Sequence, residues 1–105
     1  MRISKQLYAG QYAAPKRAAI LRKLQRGGPL PFVYVLTRAA AKEELIDIYA
    51  VRDFRSELVQ RENPMLIGIA IGKKEAFQVA QTIITELYAR NGAVNIDASF
   101  DTSDT

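Results

Sequence analysis

The sequence predicts a single α+β domain, on three observations. Residues 65–71, Met-Leu-Ile-Gly-Ile-Ala-Ile, form a short apolar run closed by Gly72, the mark of a buried strand. Residues 73–90 place apolar side chains at helical spacing over about five turns. The 105 residues match the size of one domain and leave no room for two.

From the N-terminus, residues 2–9 (Arg-Ile-Ser-Lys-Gln-Leu-Tyr-Ala) read equally as a short strand or as an extended arm. Pro15 suits the first position of a helix, and Ala18 to Arg26 continue it with good helix formers. Gly27 and Gly28, followed by Pro29 and Pro31, stop it. Residues 32–36, Phe-Val-Tyr-Val-Leu, are β-branched and aromatic between turn residues, and predict a strand. Residues 38–44 read as a loop or one helical turn. A second strand is expected over 45–51, with Ile46, Ile48 and Ala50 on one face and Leu45, Asp47, Tyr49 and Val51 on the other. Residues 52–64 are highly charged and predict a loop with some helix.

The run 65–71 is apolar on both faces, which makes it a central strand. In the helix 73–90, Ala76, Phe77, Val79, Ala80, Ile83, Ile84, Leu87 and Tyr88 fill one half of the wheel. Glu75, Gln78, Gln81, Thr82, Thr85 and Glu86 fill the other, and Asn91-Gly92 ends it. Residues 94–98 alternate strictly and predict a half-exposed strand near an edge, joined to 65–71 by a right-handed crossover. Residues 1–100 form the domain, and 101–105 a frayed polar tail. The expected order is α-β-β-β-α-β, optionally with a strand in front. A mixed sheet of about four strands with two helices on one face accommodates it, and a ferredoxin-like arrangement is the alternative.

The chain contains no cysteine and no histidine. That excludes disulfides, Ser-His and Cys-His nucleophile pairs, and nitrogen or sulfur side-chain ligands for zinc or iron. No metal and no cofactor is expected, and an enzyme would have to work with carboxylates, Lys, Tyr, Ser or Thr. No apolar stretch is long enough to span a bilayer, and residues 1–10 lack the apolar core of a signal peptide. The expectation is a soluble cytoplasmic protein with no membrane partner.

Charge is unevenly distributed. Residues 1–42 hold nine of the 15 basic residues and no acidic one. The remaining six basic and all 11 acidic residues leave residues 43–105 at −5. On the first helix Lys16, Arg22, Lys23 and Arg26 cluster on one side, opposite Ile20, Leu21 and Leu24, with Tyr8 and Tyr12 just upstream. Such a face is a candidate site for an anionic partner, nucleic acid or acidic protein. It is equally the solvated side of an ordinary helix whose charge the acidic half balances in space. No helix–turn–helix, RNP or zinc-finger pattern accompanies it.

Gly68-Ile-Ala-Ile-Gly72-Lys73-Lys74 runs from strand into helix as phosphate loops do. It has three residues between its glycines where the P-loop has four, and Lys74 where a magnesium-binding hydroxyl belongs. Close packing for Gly68 and a strand-to-helix turn for Gly72 account for it better. The carboxylates at 43, 44, 47, 53, 57 and 62 are interspersed with Lys42, Arg52, Arg55 and Arg61. They read as a salt-bridged surface, with Glu57–Arg61 as an i,i+4 pair. Tyr49 shares a strand face with Asp47, a polar rim where tyrosine often marks an interface.

Two functional readings follow. The first is a small non-enzymatic binding or accessory protein using its basic first helix. The second is a homo-oligomeric domain in which the charge is incidental.

Overall fold

A computed structural model describes residues 1–39 and 45–91 of the chain. A strand β1 (Arg2–Ala9) leads through a 3-10 turn (Ala14–Lys16) into helix α1 (Arg17–Arg26). Strands β2 (Val33–Arg38) and β3 (Ile46–Ala50) follow, then the short helices α2 (Val51–Phe54) and α3 (Glu57–Arg61). Strand β4 (Met65–Ile71) and helix α4 (Lys73–Asn91) complete the described order. The strand expected over 94–98, its crossover, the tail 101–105 and most of the link 38–44 lie outside the described residues.

The four strands form one mixed sheet in the order β1-β4-β2-β3. The front segment is a strand, parallel to β4, while β2 is antiparallel to both β4 and β3. Central β4 is buried from Met65 to Ala70, as its two-sided apolar run predicts. A bulge interrupts it: Thr37 pairs with Leu66, but the next residue back, Leu36, pairs with Gly68. Ile67 and the α-carbon of Gly68 therefore turn to the same face. A β-carbon on Gly68 would approach Val79 Cγ1 to 3.2 Å and Leu36 Cβ to 3.4 Å. Close packing under a helix is thus why glycine stands in this strand.

The two helices expected on one face are instead distributed over both. Val33 and Val35 of β2 pack with Ile20 and Leu24 of α1 and with Val51 and Phe54 of α2. Leu36, between them on the opposite face, packs with Ala76, Val79, Ile83 and Leu87 of α4. The physical reason lies in β4 itself, since a strand that is apolar on both sides needs a cover on each. The same division rules out the ferredoxin-like alternative, which stacks its helices on one face.

Two local expectations also change. Strand β2 begins at Val33, because Phe32 adopts φ 67° and is 80% exposed. In α4, Phe77 and Tyr88 are exposed and Ile84 is only half-buried, whereas Glu75 is 4% exposed. The buried face is Ala76, Val79, Ile83 and Leu87, a narrower stripe than the half-wheel the pattern suggests.

Candidate anion-binding surface

Helix α1 begins where Pro15 fixes the 3-10 turn and Lys16 occupies the N-cap. It ends at Gly27, whose φ of 88° places it in the left-handed conformation that glycine adopts without strain. The Lys23 carbonyl there accepts from the amides of Gly27 at 2.8 Å and Gly28 at 3.0 Å. Arg55, at the end of α2, donates Nη2 to the same carbonyl at 2.9 Å. The carbonyl already has two amide donors, so the guanidinium adds a charged third one that complements the negative end of the helix dipole.

Ile20 and Leu24 are buried against the sheet and Leu21 is half-buried beside them, while the basic side chains of α1 face water. Lys16, Arg17, Arg22, Lys23 and Arg26 are all exposed. Among the described residues none of these five side chains is paired with a carboxylate. The four candidate residues divide into two rows. Arg22 and Arg26, one turn apart, stand along the solvent side. Lys16 and Lys23, two turns apart, border a groove of about 250 Å³ between α1 and the segment entering β2. The floor and far wall of this groove come from Ala19, Ile20, Leu30, Phe32 and Ile71.

Sequence reasoning missed Arg55 and Phe32. Arg55 sits in the link 52–64, where neighbouring carboxylates suggest local pairing; Glu57 takes its expected i,i+4 partner Arg61 at 2.6 Å, and Arg55 turns to α1 instead. Phe32 looks like the first strand residue, and only the Pro31 before it hints that the strand starts later.

In the strand-to-helix turn after β4 the amides of Ile71 and Gly72 are already engaged within the fold. Gly72 takes φ 87° and donates its N–H to the Phe32 carbonyl at 2.7 Å. The Ile71 amide donates to Glu75 Oε1 at 2.8 Å. Glu75 also accepts from the amides of Tyr12 at 2.7 Å and Ala13 at 3.2 Å. This carboxylate ties the loop after β1 to the end of β4 and the start of α4. Its position is the third of a helix capped by Gly72, the place where an acidic side chain reaches back to free amides. That spacing was the available signal.

A second, polar cavity of about 210 Å³ opens at the other end of the sheet, lined by Arg2, Thr37, Arg38, Asp47, Tyr49 and Asn63 among others. Tyr49 donates its hydroxyl to Asp47 Oδ2 at 3.3 Å, and Arg2 donates Nη1 to the Asn63 carbonyl at 3.1 Å. The Thr37 hydroxyl is buried here and has no hydrogen-bond partner among the described residues. Among the described residues no three acidic side chains gather as a metal site would need, and no helix is long and apolar enough to cross a membrane.

Compared with protein-family models, curated proteins and solved structures, the chain matches none.

Proposed function

We propose that this chain is a small non-enzymatic binding protein that holds nucleic acid by its phosphates on the outer face of α1. The observation that carries the reading is the exposure of Lys16, Arg22, Lys23 and Arg26 on one helix, with no carboxylate partner among the described residues. Arg17 is exposed on the same helix, and Arg55 adds charge at its C-terminal end. Unpaired cations on a rigid helix attract a polyanion and release its counterions on contact. Exposed aromatic rings at Phe32 and Tyr12, close to that helix in chain and fold, favour nucleic acid over an acidic protein. No base-reading motif is present, so binding is expected to be largely independent of sequence.

The test is fluorescence anisotropy with a labelled duplex and a labelled single strand, at low and at physiological salt. Binding at low salt that weakens steeply with salt is the expected result; no binding of either at low salt removes the proposal.

A second reading, association between copies of the chain, draws on α4. Phe77 is 57% and Tyr88 61% exposed on one side of this helix, with half-buried Ile84 between them. Apolar side chains aligned along an exposed helix are a usual component of subunit contacts. Sedimentation across a hundredfold range of concentration, compared with Phe77→Ser, tests it: a single monomeric species throughout removes this reading.

A further inference from the structure

We infer that the groove beside α1 accepts an unpaired base of single-stranded nucleic acid, stacked on the ring of Phe32. The inference rests on the phosphate-binding role of α1 and adds the kind of strand that role serves. Phe32 is 80% exposed, the highest value for any large apolar side chain among the described residues. Its backbone is at φ 67°, a conformation common for glycine and asparagine and unfavourable for an aromatic residue. The other non-glycine residue with positive φ among those described is Asn63, which tolerates it. A strained position that also exposes a large ring contributes nothing evident to folding, and strain of this kind gathers at functional positions.

The ring stands on a rigid mount. Pro29 and Pro31 restrict the approach, and Leu30 between them packs against the core. The Phe32 carbonyl is held by the Gly72 amide at 2.7 Å, which locks the segment to the end of β4. A base stacked on such a ring therefore meets a preorganised surface and loses little to ordering it. The groove beneath is apolar along Ala19, Ile20 and Leu30, suited to a flat heterocycle, while Lys16 and Lys23 supply charge at its border. A paired base inside a duplex presents no free face to a ring in this position, so duplex is expected to use the charges alone.

The experiment measures binding of a fluorescein-labelled oligothymidine and of a duplex of equal length to wild type, Phe32→Asn and Phe32→Trp. Phe32→Asn keeps a residue that accepts positive φ and is expected to melt no lower than wild type. It should weaken single-strand binding roughly tenfold or more while leaving duplex binding nearly unchanged. The chain has no native tryptophan, so the indole introduced by Phe32→Trp is a sole reporter, and its emission should be quenched on addition of unlabelled oligothymidine. Single-strand binding that Phe32→Asn retains in full, or an indole whose emission the oligonucleotide leaves unchanged, overturns the stacking site while the charge-based reading stands. Absence of binding to either nucleic acid by wild type at low salt overturns both.

Discussion

The carboxylate of Glu75 occupies the space that a β-carbon on residue 10 would fill, so the two positions are chemically interdependent across 65 residues of chain. Gly10 lets the acid pass over the backbone to reach the amides of Tyr12, Ala13 and Ile71. Gly10→Ala should therefore push the side chain off its donors and destabilise the fold by about 1–3 kcal/mol, the usual range for overpacking. Urea denaturation measures it. In a Glu75→Ala background the same change should cost much less, because the obstacle is gone, and additive losses would show that the two residues are not coupled.

Glu75→Ala alone should destabilise by at least about 2 kcal/mol, since amides buried or half-buried at the loop junction lose a charged acceptor. Glu86 gives the comparison on the same helix. Its carboxylate is exposed and accepts one hydrogen bond, from the Tyr8 hydroxyl at 3.0 Å. Glu86→Ala should change stability by less than about 1 kcal/mol. Equal losses at the two positions would argue against a structural role for Glu75.

How much of this was legible in the sequence depends on whether a residue's role is local. The central place of β4 follows from its unbroken apolar run, and the turn at Gly72 from glycine between strand and helix. A run apolar on both sides also needs a cover on each face, which two helices stacked on one face do not supply. A helical wheel puts Phe77 inside and Glu75 outside on α4, and the structure reverses both, because the wheel weighs residue type and not what the neighbouring loop brings. Glu75 is buried by amides of residues far away in sequence, which periodicity does not register. On α1 the exposure of all four basic residues was readable, since Ile20 and Leu24 fix the inner face. Their division into a solvent row and a groove row was not, because the groove wall comes from Leu30, Phe32 and Ile71.

The narrower buried stripe of α4 separates positions that the helical wheel groups together. Ile83 is fully buried against Leu36 and β4, and Ile83→Ala should cost about 2–5 kcal/mol. Phe77→Ser, at an exposed position, should stay within about 0.5 kcal/mol in the isolated chain. Chemical denaturation at low protein concentration distinguishes the two, and a large loss for Phe77→Ser would mean that its ring is covered.

Thr37 offers a gain in stability. Its hydroxyl is buried with no hydrogen-bond partner among the described residues, so its desolvation is uncompensated by any of them. Thr37→Val replaces it with a methyl group of similar shape and keeps a β-branched residue in the strand. Stability should be unchanged or rise by about 1 kcal/mol in urea denaturation. A clear loss would mean that the hydroxyl has a partner in solution, such as an ordered water in the adjoining cavity.

The salt dependence of binding tests as a set the four basic residues of α1 proposed to contact phosphate. Lys16, Arg22, Lys23 and Arg26 are exposed, and glutamine has nearly the helix propensity of lysine and arginine. Replacing all four with glutamine should therefore leave the circular dichroism spectrum and the melting temperature close to wild type. What should change is the slope of log Kobs against log salt, which counts the phosphates neutralised. On duplex each lost contact should flatten the slope by about 0.9, and on a single strand by about 0.7. If all four side chains reach phosphates, the quadruple variant should be flatter by about 3.6 on duplex and about 2.8 on a single strand. Lys16→Gln with Lys23→Gln alone should lose more on the single strand than Arg22→Gln with Arg26→Gln, because only the first pair borders the Phe32 groove. A slope unchanged in the quadruple variant would place the binding surface away from α1, however tightly wild type binds.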